Sequence, residues 1–190
     1  MKPIPSKKLA EKVPLLDCFS APCRGGCPIH QDIPAYLMRV GEGKYLDALR
    51  VITQRNPLPF ITGTICSHRC QDKCMRGNYD ESVYIRSAKL KAAEGGFAEL
   101  LQELRPGMAV EGKQAAVIGG GPAGLSAAFL LARAGVRTTV FERRDALGGI
   151  VRHVIPAFRI GDEAIDKDIA LCRAVGVEFR LNTEVTDAQS

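Results

Sequence analysis

Six of the seven cysteines in the chain fall into two closely spaced triplets. The first triplet is Cys18, Cys23 and Cys27, and the second is Cys66, Cys70 and Cys74. Thiolate sulfur is a soft anionic donor that suits zinc and iron–sulfur clusters. Neither triplet contains the Cys-x2-Cys pair typical of structural zinc, and the gaps of the second triplet predict that its members share one helical face. These spacings favour an iron–sulfur site and leave zinc open as the alternative.

A glycine-rich turn follows the cysteine region, where residues 119–124 read Gly-Gly-Gly-Pro-Ala-Gly directly after the apolar pair Val117-Ile118. In a strand–turn–helix unit the first glycine of this pattern allows a tight turn and the second lets the backbone approach a pyrophosphate. The third glycine lets the helix pack closely on the strand. Free N–H groups at the start of the helix then face the phosphates. The pattern predicts a dinucleotide site, with an ordinary βα turn as the plain alternative.

An acid follows the glycine turn at the distance expected of a ribose-binding residue. Glu142 lies 18 residues beyond Gly124, and its carboxylate would accept hydrogen bonds from a ribose 2′-OH. Arg143 and then Leu147-Gly148-Gly149 come directly after it. A second glycine pair lets the backbone pass close to a second stretch of a long ligand. This arrangement favours FAD over NAD as the dinucleotide.

The bulk composition argues against several classes of function. The net charge of +5 is mild and no Lys/Arg block stands out, so nucleic acid is not an expected partner. The N-terminus has no apolar segment typical of a secretory signal, and the apolar stretch 115–136 is broken by glycines, Pro122 and Arg133, so no membrane span is expected. An odd number of closely spaced cysteines without an export signal indicates reduced thiols in a cytoplasmic protein.

A change in composition near residues 105–107 divides the chain. Residues 1–105 predict an all-α domain, 106–113 a linker, and 114–190 a dinucleotide-binding domain. Helices are predicted over residues 33–40, with Asp32 as N-cap, over 45–54, and over 82–104 with an interruption at Gly95-Gly96. Cys172 is predicted to be a core residue of a later helix.

The second part alternates strands and helices. Strands are predicted at 115–118, 137–141 and 177–181, and helices at 123–134 and 163–175. This order predicts a parallel sheet with right-handed crossovers, equivalent to the first half of a doubly wound dinucleotide fold. The expected fold class is therefore α followed by α/β, with a partial, truncated Rossmann-like domain.

Several segments resemble the glutamate synthase small-subunit family, to which the N-terminal region of dihydropyrimidine dehydrogenase is similar. The segments GGGPAG, VFERRDALGGI, IPAFR and GVEFRLNTEV resemble its FAD domain. The blocks Cys18-x4-Cys23-x3-Cys27-Pro28 and Cys66-x3-Cys70-x3-Cys74 resemble its cysteine blocks. The resemblance covers about residues 15–187, and some details are similar to FAD/iron–sulfur subunits described as selenate reductases.

The resemblance implies an all-α ferredoxin-like domain with two [4Fe–4S] clusters whose ligands interleave. One cluster would be held by Cys18, Cys23 and Cys74, and the other by Cys27, Cys66 and Cys70. It also implies that Glu142 binds the adenosine ribose, that Gly148-Gly149 and Arg159 lie along the FAD, and that the backbone of Val185 meets the adenine. The full set of expected FAD-binding residues is Gly119, Gly120, Gly121, Pro122, Ala123, Gly124, Glu142, Arg143, Leu147, Gly148, Gly149, Arg159 and Val185.

Each cluster site departs from the family pattern at one ligand. The opening cysteine of the family corresponds to Leu15, which cannot ligate iron, and its Glu or Gln ligand aligns with Lys89, which has no lone pair while charged. Each site is therefore one ligand short, so six cysteines do not guarantee two stable clusters, and one cluster or two labile ones is an open outcome. Nearby oxygen or nitrogen candidates are Asp17, His30, His68 and Asp72.

The leading functional hypothesis is an electron-transfer module of an NAD(P)H-dependent FAD/iron–sulfur oxidoreductase. Electrons would pass between the flavin and [4Fe–4S] clusters toward a partner subunit or domain. A downstream NAD(P)H-binding domain or catalytic partner subunit is expected, and the chain alone is not expected to oxidise NAD(P)H. The alternatives are a zinc-stabilised interaction module and a redox sensor with a labile cluster.

Overall fold

The computed structural model describes residues 21–187. In this range the helices are α1 (Pro22–Gly25), α2 (Ile33–Gly41), α3 (Tyr45–Thr53), α4 (Pro59–Ile65), α5 (Arg69–Asp72), α6 (Ile85–Glu103), α7 (Pro122–Arg133), α8 (Ile150–His153) and α9 (Asp162–Ala174), with a 3-10 turn at Met75–Asn78. The strands are β1 (Gln114–Ile118), β2 (Arg137–Phe141) and β3 (Glu178–Arg180). We call residues 21–105 the helical part and residues 114–187 the sheet part. Between residues 21 and 187, no helix is long and apolar enough to cross a membrane.

Helices α2 and α3 form where the sequence predicts them. The Asp32 carboxylate accepts a hydrogen bond from the Ala35 N–H at 3.3 Å, which satisfies one of the free donors at the start of α2. The two helices pack on α6, and their fully buried side chains include Tyr36, Leu49 and Ile52. Between residues 21 and 113 every regular element is helical, as predicted.

Helix α6 runs unbroken through Gly95-Gly96, so the predicted interruption at this pair is wrong. The glycines serve close packing instead of ending the helix. A Cβ at position 95 would lie 2.6 Å from the Tyr45 ring, and one at position 96 would lie 2.8 Å from the Tyr45 carbonyl oxygen. Because neither glycine has a side chain, α3 can approach α6 to backbone contact.

The three strands form one parallel sheet in the order β1-β2-β3. Ala116 of β1 pairs with Thr139 of β2, which in turn pairs with Glu178 of β3. The strand and helix positions agree with the sequence prediction to within a residue at most ends. The carboxyl ends of all three strands meet at one edge of the sheet, which is where parallel α/β sheets bind ligands.

The predicted linker, residues 106–113, lies against the sheet part. The Gly107 N–H donates to the Ala132 carbonyl at 3.0 Å and the Val110 N–H donates to the Gly135 carbonyl at 3.0 Å. These bonds hold the segment on the end of α7. The domain boundaries 1–105, 106–113 and 114–190 remain a prediction.

A buried acid joins the two parts. Asp168 on α9 is fully buried, and its carboxyl oxygens accept the N–H groups of Phe60 at 3.0 Å and of Ile61 at 2.8 Å. Burial raises the pKa of Asp168 to about 8, against the opposing effect of these two bonds and of Lys89. A second hydrogen bond between the two parts runs from the Arg133 side chain on α7 to the Thr53 carbonyl on α3, at 2.8 Å.

Candidate functional site

Three cysteines from both sequence blocks line one cavity in the helical part. Cys27 follows α1, Cys66 follows α4 and Cys70 lies in α5, and together with Lys89 they line a cavity of about 60 Å³ that we call the thiol cavity. Cys27 and Cys70 are buried, and Cys66 is half-buried. The chain therefore brings together the three thiols that were expected to hold one cluster.

The second triplet does not lie on one helical face, so that prediction from its spacing is wrong. Cys66 ends α4 in an extended conformation, and Cys74 is again extended before the 3-10 turn. Between them, His68 takes a left-handed conformation with φ of 45° and breaks the helical path. Cys66 and Cys70 nevertheless line the same cavity as Cys27, with the break at His68 between them.

Two residues donate hydrogen bonds to sulfurs of the thiol cavity, His68 through its backbone and Gln31 through its side chain. The His68 N–H donates to Cys66 Sγ at 3.4 Å, and Gln31 Nε2 donates to Cys27 Sγ at 3.6 Å. Gln31 Oε1 and His68 Nδ1 are buried and have no hydrogen-bond partner among the described residues. Such donors stabilise thiolate over thiol.

Lys89 completes the thiol cavity. Its side chain is 4% exposed, although lysine is rarely buried without a partner. Burial lowers the pKa of Lys89, and the charges of Cys66, Cys70 and Cys27 act in the opposite direction. Burial likewise raises the pKa of the Cys70 thiol, which metal binding would have to overcome by displacing its proton.

The other expected cluster site is only partly described. Cys18 lies outside the described residues, as do Leu15 and Asp17. Cys23 and Cys74 are half-buried and near enough for their charges to interact, although burial is the larger reason that the pKa of Cys23 is raised. Of the remaining oxygen and nitrogen candidates, His30 and Asp72 are exposed, and His68 lines the thiol cavity.

The thiols surround a space instead of converging on one point. Within residues 21–187, no three His, Cys, Asp or Glu side chains form a group that could hold a single metal ion. The donor set of the thiol cavity is three soft sulfurs and a cation. This set fits three corners of an iron–sulfur cluster, and Lys89 lines the same cavity.

In the sheet part, the glycine turn runs from the end of β1 into α7. Gly119 has φ of 99°, a conformation that glycine adopts readily, and Gly121 is the N-cap of α7 with Pro122 in the first turn. A Cβ at position 124 would lie 2.0 Å from the Gly119 carbonyl oxygen. The third glycine thus lets the helix pack on the turn, as the sequence pattern predicts.

The second glycine pair packs directly on the first turn. The Gly148 N–H donates to the Gly120 carbonyl at 2.8 Å, and a Cβ at position 149 would lie 2.8 Å from Gly121 Cα. Leu147 is buried beneath Gly120, where a Cβ would lie 2.4 Å from its Cδ2. The two glycine segments therefore form one backbone surface.

Glu142 holds this surface to the end of β2. Its carboxylate accepts the Gly120 N–H at 2.7 Å and the Arg144 N–H at 3.0 Å, and the residue is 7% exposed. Burial alone would raise the pKa of Glu142. The two N–H donors and the charges of Arg144 and Arg143 outweigh burial, so the pKa of this carboxyl lies below its usual value.

A cavity of about 540 Å³ opens at the carboxyl ends of the strands, and we call it the glycine-turn cavity. Of the residues expected to bind FAD, it is lined by Gly119, Glu142, Arg143, Gly149 and Val185. The others expected there are not among its lining residues: Gly120, Gly121, Pro122, Ala123, Gly124, Leu147, Gly148 and Arg159. Gly148 is hydrogen-bonded to Gly120 within the glycine turn itself, whereas Arg159 is exposed in a turn after α8.

Sequence reasoning missed several lining residues. Arg144, Thr183 and Glu184 line the glycine-turn cavity, together with the apolar Ile118, Phe141, Ile150 and Val154. A positional signal could have found some of them, because Ile118 and Phe141 are the last residues of β1 and β2, and Thr183 follows β3. No motif marks Ile150 and Val154, which reach the cavity through the turn of α8.

Comparisons with known proteins cover both parts of the chain. Residues 6–97 match the family described as dihydropyrimidine dehydrogenase domain II, 4Fe-4S cluster, and residues 117–164 match an NAD(P)-binding Rossmann-like domain. YgfK of Escherichia coli, named as a candidate oxidoreductase, is 48% identical over 179 residues, which cover 94% of this chain. The match runs through the cysteine blocks and the glycine turn alike. This chain belongs to the glutamate synthase small-chain-like family.

Other relatives also match over most of this chain. The NADP(+)-dependent formate dehydrogenase subunit beta of Moorella thermoacetica is 36% identical over 190 residues, which cover 87% of this chain and 26% of that protein. The glutamate synthase [NADPH] small chain of Mycobacterium tuberculosis is 36% identical over 170 residues, which cover 90% of this chain and 35% of that one. Since YgfK is covered over 17% of its length, the chain spans between about a sixth and a third of these relatives.

The comparisons confirm the resemblance drawn from the sequence. The chain matches a 4Fe–4S cluster domain and an NAD(P)-binding Rossmann-like domain, and its relatives are named as oxidoreductases or as subunits of oxidoreductases.

Proposed function

We propose that the chain is an electron-transfer module of an NAD(P)H-dependent oxidoreductase, with an iron–sulfur cluster in the thiol cavity and FAD in the glycine-turn cavity. The observation that carries the proposal is the convergence of Cys27, Cys66 and Cys70, from two distant blocks, on one cavity. Thiols that serve only packing are not expected to line a common cavity with a buried lysine and two hydrogen-bond donors.

In the thiol cavity the three cysteines would hold the cluster, and the cluster would supply a reversible one-electron carrier. The chain's own groups prepare the cavity. The backbone N–H of His68 and the side-chain Nε2 of Gln31 orient and stabilise the sulfurs of Cys66 and Cys27. Cys18, Cys23 and Cys74 are proposed to hold a second cluster in a ferredoxin-like arrangement.

In the glycine-turn cavity, FAD would supply a carrier that exchanges both electron pairs and single electrons. Its volume of about 540 Å³ and its backbone floor support a long ligand with a diphosphate. Glu142 already accepts two N–H bonds, and each carboxylate oxygen retains a lone pair for a ribose hydroxyl. Arg143 and Arg144 border the same opening and add positive charge near the phosphates.

The whole protein's reaction belongs to the proposal as well. Relatives named as subunits suggest that electrons leave this chain for a partner subunit or domain, and that an NAD(P)H-binding domain supplies them. The expected location is the cytoplasm, where thiols stay reduced. We expect residues 1–190 alone to show no appreciable NAD(P)H oxidation.

Anaerobic purification tests the proposal. The isolated chain should contain iron and acid-labile sulfide, show the broad visible absorbance of an iron–sulfur cluster, and release FAD on denaturation. Zinc in stoichiometric amount without sulfide would support the zinc-stabilised interaction module and overturn the proposal. Cluster absorbance that disappears reversibly in air while FAD remains bound would indicate the labile-cluster sensor instead.

A further inference from the structure

Lys89 occupies an unusual place for a lysine. It lies one turn after Ile85 and Arg86 on α6, and all three line the thiol cavity with the cysteines. None of the hydrogen bonds or ion pairs among residues 21–187 involves its ammonium group. A cation on a residue that is 4% exposed is costly unless a counter-charge lies near, and the thiol cavity is where a bound group could supply one.

The groups that face Lys89 identify that counter-charge. The thiols of Cys66, Cys70 and Cys27 are the favourable ones, while Arg86 opposes them. Asp168 also interacts with Lys89, but both of its carboxyl oxygens already accept backbone N–H groups. Cysteines that bind a cluster do so as thiolates, so the anionic groups that share the thiol cavity with Lys89 in the loaded protein are these sulfurs and the cluster that they hold.

We propose that Lys89 is the charge-balancing residue of the cluster held by Cys27, Cys66 and Cys70, acting through its positive charge and not as a ligand to iron. This inference rests on the proposed function, since it requires a cluster in the thiol cavity. A protonated lysine has three donors and no lone pair, so it cannot coordinate iron while charged. It can stabilise bound negative charge at short range.

The positive charge of Lys89 would shift the equilibrium between the oxidised and the reduced cluster. Adding one electron to the cluster adds one negative charge to the thiol cavity, with no bond broken in the protein. A neighbouring cation in a weakly polar interior stabilises the reduced form more than the oxidised form. Lys89 therefore raises the reduction potential of this cluster and favours its reduced form.

The experiment is a redox titration of the full chain with dithionite, followed by electron paramagnetic resonance. The signal of this cluster is identified as the one missing in Cys70→Ala. In Lys89→Met the iron and sulfide content should stay unchanged, while the ratio of reduced to oxidised cluster at a fixed potential should fall about tenfold or more. Lys89→Arg, which keeps the charge and cannot deprotonate, should retain the wild-type ratio.

Matched controls separate the outcomes. Lys91→Met removes an exposed lysine two positions along the same helix, where it contacts the Tyr45 ring, and should leave the titration unchanged. Lys89→Gln serves as a second neutral variant if Lys89→Met fails to fold. Loss of iron in both Lys89→Met and Lys89→Arg, or an unchanged potential in both neutral variants, would overturn the inference. Absence of iron in the wild-type chain would instead refute the proposed function itself.

Discussion

The helical part and the sheet part build their cavities from different groups of the polypeptide. In the sheet part the main chain forms the site: Gly119 and Gly149 line the glycine-turn cavity, and Glu142 is anchored by backbone N–H groups. In the helical part side chains do so, because three thiols and Lys89 converge from separate helices and turns. A site built from the main chain is disrupted by a side chain added at a closely packed glycine such as Gly124, whereas a side-chain site is disrupted when particular atoms are removed.

The largest expected effect is on the side-chain site. Cys70→Ala removes one of three sulfurs from the thiol cavity, so the iron and labile sulfide that belong to this cavity should be lost completely. Metal and sulfide analysis of anaerobically purified protein measures the change.

The control for this variant is Cys172→Ala. Cys172 is also buried, but its Sγ contacts the Leu125 carbonyl in the sheet part, so its removal should leave the iron content unchanged. Equal iron in Cys70→Ala and the wild type would contradict the assignment of this cavity.

The backbone site should break when a methyl group is added. Gly124→Ala places a Cβ against the Gly119 carbonyl and should lower the free energy of unfolding by about 3 kcal/mol or more, with loss of bound FAD. Urea denaturation and flavin release measure the two effects. Gly41→Ala, whose Cβ meets nothing within 4 Å, should be neutral or slightly stabilising. A Gly124→Ala protein as stable as Gly41→Ala would refute the packing role of the third glycine.

This contrast also explains how far the sequence could predict the structure. Asp32 and the strand–turn–helix around residues 119–124 are local signals, because their capping bonds and turn geometry depend on neighbouring residues, and both are found as predicted. The continuity of α6 depends on Tyr45, which lies far away in sequence from Gly95, so a local rule that glycine pairs end helices gave the wrong result.

The site residues also divide into those marked by local signals and those placed by long-range contacts. The identity of the thiols was visible in their triplets, but the left-handed turn at His68 that separates Cys66 from a shared helical face was not. Nor could spacing reveal that Gly148 would hydrogen-bond to Gly120, because that contact depends on how two loops meet in space. Tertiary packing decided each of these features.

The junction between the two parts should be the next most sensitive position. Asp168→Ala leaves the buried N–H groups of Phe60 and Ile61 without acceptors and should lower the free energy of unfolding by about 2–4 kcal/mol. Glu163→Ala on the same helix removes an exposed ion pair with Lys167 and should cost less than about 0.5 kcal/mol. Similar costs in chemical denaturation would show that Asp168 does not join the parts.

Asp168 should also impose a pH dependence on stability. Its pKa is raised to about 8 in the folded protein, so the folded state holds a proton that the unfolded state loses near the ordinary aspartate pKa. The free energy of unfolding should therefore decline as the pH rises from about 4 toward 8. Asp168→Asn, which cannot ionise, should flatten this decline. An identical pH profile in the variant and the wild type would count against the raised pKa.

The smallest expected effect tests whether Glu142 has a role in binding beyond structure. Glu142→Gln removes the negative charge, and its side-chain NH2 group would face one of the two backbone N–H donors in place of a carboxylate oxygen. The affinity for FAD should therefore fall about tenfold. Glu184→Gln, at an exposed acid that borders the same cavity, should change the affinity less than about twofold. Fluorescence titration with FAD gives both values, and equal affinities in the two variants would remove Glu142 from the proposed site.

The central claim is that each part of the chain holds its own redox cofactor, and one measurement tests it directly. Flavin, iron and acid-labile sulfide are quantified in the same anaerobic samples of wild type, Cys70→Ala and Glu142→Gln. We predict that Cys70→Ala loses iron and sulfide from the thiol cavity while keeping FAD, and that Glu142→Gln retains less FAD than the wild type, in line with an affinity about tenfold lower, while keeping iron and sulfide. Joint loss of both cofactors in either variant, or zinc in place of iron in the wild type, would contradict the account.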